Sequence, residues 1–497
     1  MKPSQYATGV VAIACAIVVI TDAGPLAPPA GPVAPTGKTL VEVEPRTPLT
    51  PDGGTIVIGF PGSYYLTGDV NVAGVTGVLI NSGGVTLDLS GFTVRGAGQL
   101  SPSGDRYGIE IGVAAAEVSG ADIVVRNGAV EGFVDAGVYN GEGDIALVVE
   151  DLRVEEGTIG GIYTLGDGRI ERCAVVGGFS NANRTPRGIA VFGGGAVKDC
   201  RVRGSSGLGL ALGSGVVSGC VVSDSGGIGL TLHSGLVSGC VVRDSGGEGM
   251  RIGDVFNPGS QARALRVVDC VVERAGFIGF RLVSPATLEG CMASDCADVG
   301  FLIDSDSSLT NCVSNRNGDD GFEAFDAVTF RNCVANWNGT ARAAKGFTLS
   351  RNAVMVGCVA DNNSDDGIFV GENSLVEGCS ATRNGGFGID TVSGTSIIDC
   401  IANDNAGRGI DTGADARVYG CIAKDNAESG IDVGSGTVVE GNHVADNPIG
   451  VTGSSGAIVI RNTSVGNTIP FDVGGSGLAP VVSSPAAVTN PLSNIAF

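Results

Sequence analysis

The chain has 497 residues, among them 83 glycines, one tryptophan and only 5% aromatic residues, with a formal charge of -22 at neutral pH. So acidic a chain is unsuited to nucleic acid and to anionic membrane surfaces, which are polyanions themselves, and it disfavours acidic polysaccharides unless a divalent cation bridges the two. Only His233 and His443 are present, which argues against a histidine-built zinc site, a serine triad or a histidine acid/base pair, so chemistry would rest on carboxylates, Lys, Arg and a metal.

Residues 1–23 hold Lys2, an apolar run from Val10 to Ile20, then Thr21, Asp22 and Ala23. That run is too short to span a bilayer and reads as a secretory signal peptide, so a secreted or cell-envelope protein without a transmembrane helix in its mature chain is expected. Residues 24–54 are rich in proline and read as an extended linker. Strand-like sequence then begins with TIVIGFPGSYYLTGDV from Thr55, and VTLDLSGFTVRG from Val85 is the first clean coil.

Further along a period emerges, clearest between Cys358 and Asn442. Glycines at 346, 367, 388, 409 and 430 fall at a constant interval of 21, and so do the cysteines at 358, 379, 400 and 421. Each period contains three runs of Val, Ile and Ala separated by Asn, Asp, Ser and Gly, too short for helices and bounded by turn residues. A single turn cannot bury its apolar side, whereas stacked turns pair strand on strand and share a core. The expected fold is all-β, a single-stranded right-handed parallel β-helix of about 21-residue coils over residues 55–470, with a C-terminal cap and loose tail over 471–497.

Register makes columns out of letters one period apart. Asn317, Asn338, Asn363, Asn384, Asn405, Asn426, Asn447 and Asn467 predict a ladder of stacked amides. The periodic cysteines predict buried free thiols, because their β-carbons would stand about 4.8 Å apart, beyond disulfide geometry. Cys15 and Cys296 lie outside that column, Cys296 in the place of a ladder asparagine. The glycine interval stretches between Gly249 and Gly279 and between Gly321 and Gly346, so insertions near 252–265 and 339–345 must leave as loops.

The opening stretches at Thr55 and Val85 resemble those of secreted bacterial proteins of the pectin-lyase-like β-helix superfamily, a resemblance covering residues 55–470. It implies a right-handed parallel β-helix that meets extracellular polysaccharide.

Asp319, Asp320 and Glu323 in NGDDGFE, with Asp298 one coil earlier, put four carboxylates within two coils, a donor set suited to Ca2+. This motif and the following NCVANWNGTARAAKGFTLS resemble polysaccharide lyase family 9, in which an aspartate pair before glycine and a further aspartate bind calcium beside a catalytic lysine. The sequence departs from that pattern at Glu323, where the family has aspartate, and at Thr348, where it has the lysine; Lys345 or Arg342 on the loop would have to replace that base. A plainer reading of the same residues is turn chemistry, with Lys345 stacked between Asp320 and Asp366 as a charge ladder.

Two residues past each marker glycine runs an outward column that includes Arg251, Arg281, Glu323, Thr348, Asp390, Asp411 and Asp432. Its three aspartates should repel by about 1 kcal/mol per pair in water, tolerated by solvent and salt or relieved by a bound cation. Arg281 and Thr348 are candidate substrate contacts on this column. Trp337, beside the long loop, could stack on a sugar or simply pack at a turn. Three functions compete: a protein that binds or scaffolds extracellular polysaccharide without established catalysis, a calcium-dependent pectate-type lyase, and a cell-surface adhesin.

Overall fold

A computed structural model describes residues 46–98, 106–112, 122–155, 157–177, 186–253, 265–475 and 477–497. The expected signal peptide, the linker up to Pro45, Cys15 and the insertion over 254–264 lie outside the described residues. Residues Arg46–Phe497 form one unit by their contacts.

Strands recur in a cycle of three. Phe301–Ile303, Phe322–Ala324, Phe347–Leu349 and Ile368–Val370, each following a marker glycine, pair in parallel as the first sheet. Ser308–Thr310, Thr329–Arg331 and Val354–Val356 belong to the second sheet, and Val313–Asn315, Val334–Asn336 and Val359–Asp361 to the third. The result is a right-handed parallel β-helix of about 19 turns with coils of about 21 residues. Strands of three residues suffice because those of the interior coils are paired on both sides by their counterparts in adjacent coils.

Alternation within each strand builds the core. In Phe347–Leu349 the outer two residues are buried and Thr348 is half-exposed. Phe280, Phe301, Phe322 and Phe347 stack with ring centroids 4.8 Å apart, the spacing of paired strands, and Phe330 meets two of them edge-on. The marker glycines are dictated by space. A Cβ on Gly321 would stand 2.5 Å from the Gly346 carbonyl and 2.8 Å from the Asn338 amide.

The asparagine ladder is present. Asn384 donates from Nδ2 to Asn405 Oδ1 at 3.0 Å and to the Ala360 carbonyl at 3.1 Å, while its own Oδ1 accepts from the Asn363 backbone N–H at 3.0 Å. Cys296 begins this column, its N–H donating to Asn317 Oδ1 at 3.0 Å. The periodic cysteines are buried and free, and burial pushes the Cys296 thiol up to about 11.

Both ends differ from the sequence expectation. The β structure starts before Thr55, because Thr47–Leu49 already pairs with Tyr64–Leu66. Nor does the C-terminal stretch trail away: Asn494–Ala496 adds to the third sheet beside Thr463–Val465. Asn494 thereby closes a second amide ladder, accepting from Asn462 Nδ2 at 3.2 Å, and Asn462 accepts from Asn442 at 2.9 Å. These amides continue the line of the cysteines, since Asn442 Oδ1 accepts from the Cys421 N–H at 2.8 Å. Asn494–Ala496 thus extends the third sheet by one strand beyond Thr463–Val465.

Candidate functional site

Two columns meet on the outer side of the first sheet. One consists of the residues two past each marker glycine, in register from Arg251 through Arg281, Leu302, Glu323, Thr348, Phe369, Asp390 and Asp411 to Asp432. The other consists of the residues just before each glycine, including Glu248, Asp320, Lys345, Asp366 and Arg408. Side chains of the two columns interlock along the sheet, so charges that look isolated in the sequence are paired in space.

Around the long loop the four candidate calcium ligands are divided between partners. Gly339 and Ala341 pin the loop through N–H donation to the carbonyls of Asn317 and Gly318 at 2.9 and 3.1 Å, which carries Arg342 back over two coils. Its Nη2 pairs with Asp298 at 3.0 Å and also with Asp319. Asp320 instead accepts from the Lys345 backbone N–H at 2.8 Å and from Thr348 Oγ1 at 2.5 Å. Burial raises the Glu323 carboxyl above its usual range, helped by the neighbouring charges of Asp320 and Asp298. Among the described residues no three His, Cys, Asp or Glu side chains are grouped so as to hold a metal ion. In this arrangement Asp298 and Asp319 are engaged by the Arg342 guanidinium and Asp320 by Lys345 and Thr348.

Lys345 is held as a cation. Its Nζ pairs with Asp366 and lies 4.8 Å from the centre of the Phe369 ring. Burial works against its charge, but the pairing with Asp366 and the charges of Asp365 and Asp390 together raise the pKa. A base must be neutral to accept a proton, so this lysine is poorly placed for the role that Thr348 leaves open. Of the charge ladder expected at Lys345, the Asp366 half is present as an ion pair, while Asp320 is bonded by the Lys345 backbone N–H.

Trp337 is 57% exposed but stands at the bend closing the third-sheet strand Val334–Asn336, with φ of 56°, and not in either first-sheet column. Arg281 and Thr348 are both on the outward column, as expected.

The aspartate column holds the group that sequence reasoning missed. Arg408 Nη1 pairs with Asp411 at 2.9 Å and with Asp432 at 3.2 Å, so the repulsion is relieved by an internal guanidinium. The signal was available: Arg408 precedes a marker glycine, as Lys345 does. Asp390 lies between Phe369 and Asp411, and burial, then the charges of Asp411 and Asp366, push its carboxyl up to about 6.

Toward the N-terminal coils the same face becomes aromatic and apolar. Tyr107, Tyr139 and Tyr163 stack with centroids 4.4 and 5.4 Å apart, and Phe192 continues the row at 5.2 Å with a tilted ring. Small side chains at Ala211 and Thr231 then leave a cavity of about 180 Å³, flanked by Leu208, Ile228 and Phe192. Arg187 and Arg251 also line it, with Arg187 5.0 Å over the Phe192 ring. Beside the cavity, the buried Glu248 carboxylate is shared by Arg251 at 2.5 Å and Arg281 at 3.0 Å.

The architecture defines a class that comparison confirms: residues 187–352 and 328–469 match the family described as right handed beta helix region, and the chain belongs to it. No match is found among curated protein sequences. Among solved structures, the chain is similar to the A-module of the Azotobacter vinelandii mannuronan C-5 epimerase, with 15% identity over 72% of this chain and 90% of that one, at a TM-score of 0.32. It is also similar to the pectate lyase Pel9A, with 14% identity over 73% of this chain and 70% of that one, at a TM-score of 0.20. The Dettilon tailspike protein aligns at 12% identity over 86% of this chain and 60% of its own, at a TM-score of 0.23. At such identities the likeness is one of fold.

Proposed function

We propose that this chain is an exported β-helix protein that binds an extracellular polysaccharide along the outer face of its first sheet. Export rests on the apolar run over Val10–Ile20. The binding reading is carried by the half-buried row of Tyr139 and Tyr163 leading into exposed Phe192, which stack on one another and offer their ring edges along the outer face, ahead of the line of paired charges. Rings of this kind supply apolar area to the C–H faces of a sugar at little entropic cost, and flanking polar groups fix its orientation. An extended glycan lying along stacked coils would meet a repeated surface, as concave solenoid faces commonly offer.

The test is affinity electrophoresis of the full chain through gels holding a panel of acidic and neutral polysaccharides. Retardation by at least one, weakened in Tyr163→Ala or Phe192→Ala, is expected; migration unchanged throughout the panel would refute the binding reading.

A second reading, cleavage of the bound glycan, is favoured by Asp390. A carboxyl pushed up to about 6 by burial and by the charges of Asp411 and Asp366 is placed to give up a proton near neutral pH. Hydrolysis would release reducing ends, and their formation, lost in Asp390→Asn, is its measure. Elimination assisted by calcium receives no support from the Arg342, Asp298 and Asp319 arrangement.

A further inference from the structure

We infer that the cavity between Arg187 and Arg251 is a subsite for an anionic glycan, one bearing carboxylate or sulfate groups, so that the glycan-binding reading above, on which this rests, narrows to acidic polymers despite the chain's net charge of -22.

The argument begins with how charge is distributed. Summed over the chain, the surface repels anions, but binding is decided within about a Debye length, ~8 Å at physiological salt. In this patch the balance reverses. Arg251 and Arg281 share the single carboxylate of Glu248, whose side chain is 4% exposed while theirs are 29% and 38% exposed. One carboxylate cannot neutralise two guanidiniums, so a positive charge is left over on the solvent side. Arg187 adds another: it lies over Phe192, and among the described residues no carboxylate pairs with it.

Donor capacity agrees with charge. Arg251 spends Nε and Nη2 on Glu248, and Arg281 spends Nη1, which leaves further N–H groups on both forks. A guanidinium held by one carboxylate with donors still open is pre-organised for a second oxyanion, because its rotamer is already fixed. Glu248 acts here as a positioning residue.

Shape completes the case. Arg187 and Arg251 precede and follow the two coils whose outward residues are Ala211 and Thr231. Three strand spacings separate the two arginines along the axis, about 14 Å at ~4.8 Å each. Between them the cavity is lined by Leu208, Ile228 and Phe192, which suit sugar C–H faces, with the polar side chains of Thr231 and His233 beside them. A short acidic oligosaccharide meets both demands: apolar ring faces on the floor and anionic groups toward either end. Below roughly 300 Å³ the space suits one or two small rings and not a larger ligand.

The experiment is titration calorimetry of the full chain with three probes of matched length: oligogalacturonate for carboxylate, a sulfated oligosaccharide for sulfate, and cello-oligosaccharide as the neutral control. Two variants accompany the wild type, Ala211→Trp to fill the cavity and Arg187→Gln to remove one cation without touching Glu248. At least one acidic probe should bind tenfold or more tightly than the neutral one, weaken tenfold in each variant, and weaken as salt is raised. Which acidic probe is preferred names the anionic group. Equal binding of neutral and acidic probes, or acidic binding unmoved in both variants, overturns the subsite while leaving the polysaccharide reading in place. Failure of all three probes overturns the subsite, and the polysaccharide panel described above then decides the broader reading separately. Circular dichroism of both variants checks folding, and Arg187→Gln keeps the test decisive if Ala211→Trp does not fold.

Discussion

Lys345 and Asp366, one coil apart, are joined by an ion pair over the face of Phe369. The Asp366 side chain is 9% exposed, so removing its cation leaves a nearly buried carboxylate without its main partner. Lys345→Met should cost about 1–3 kcal/mol of stability. In a double-mutant cycle with Asp366→Asn, chemical denaturation should show the second change costing less once the first is made. Strict additivity would mean that the pair contributes nothing.

Asp390 gives the protein a specific pH dependence. Its folded-state carboxyl, raised by burial and by Asp411 and Asp366 to about 6, lies above the ordinary 3.8. As pH falls through about 6, the folded state binds a proton that the unfolded chain takes up only near 3.8, so this residue adds stability toward low pH and withdraws it as pH rises. Between pH 7 and pH 4.5 the wild type should therefore gain in Tm, or lose less, relative to Asp390→Asn. Parallel curves for the two proteins would contradict the assignment.

Arg342 answers the calcium question by experiment. Its guanidinium is 61% exposed, so Arg342→Ala should cost no more than about 1 kcal/mol. Removing it frees Asp298 and Asp319 side by side, and a calcium-dependent rise in Tm should appear in Arg342→Ala that is absent from the wild type. A wild-type shift as large as the variant's would restore the cage that the sequence suggested.

Asn384 is an internal rung of the amide ladder. Truncation to alanine strands the Asn363 N–H donors and the Ala360 carbonyl in the dry core. At 1–3 kcal/mol for each buried group left unpaired, a loss of roughly 3 kcal/mol or more is expected in urea denaturation. Asn384→Asp should also destabilise, because a carboxylate cannot donate to Asn405. A cost below 1 kcal/mol for the alanine variant would show that the rung is not needed.

The period of 21 was sufficient to place the sheets, the inward columns, the asparagine ladder and the free thiols, since in a solenoid the partner of a residue is found by counting one coil forward. Local turn chemistry and alternation act over a few residues, and both are written in the letters. Counting failed where the repeat is broken or where a long side chain leaves its own rung. Asn494 lies beyond the last periodic phrase, yet it completes a column begun by the cysteines. Arg342 spans two coils to Asp298, and Arg408 bridges two aspartates that the sequence left repelling each other. The cavity between Arg187 and Arg251 exists because small side chains in two successive coils coincide with cations before and after them. The sequence alone determined the register of the periodic coils, because hydrogen-bonded coils repeat a single local rule. Which charges pair, and hence where an anion or a cation would be welcome, was decided only by the tertiary structure, because long flexible side chains choose partners by distance in space across columns that the repeat treats as separate.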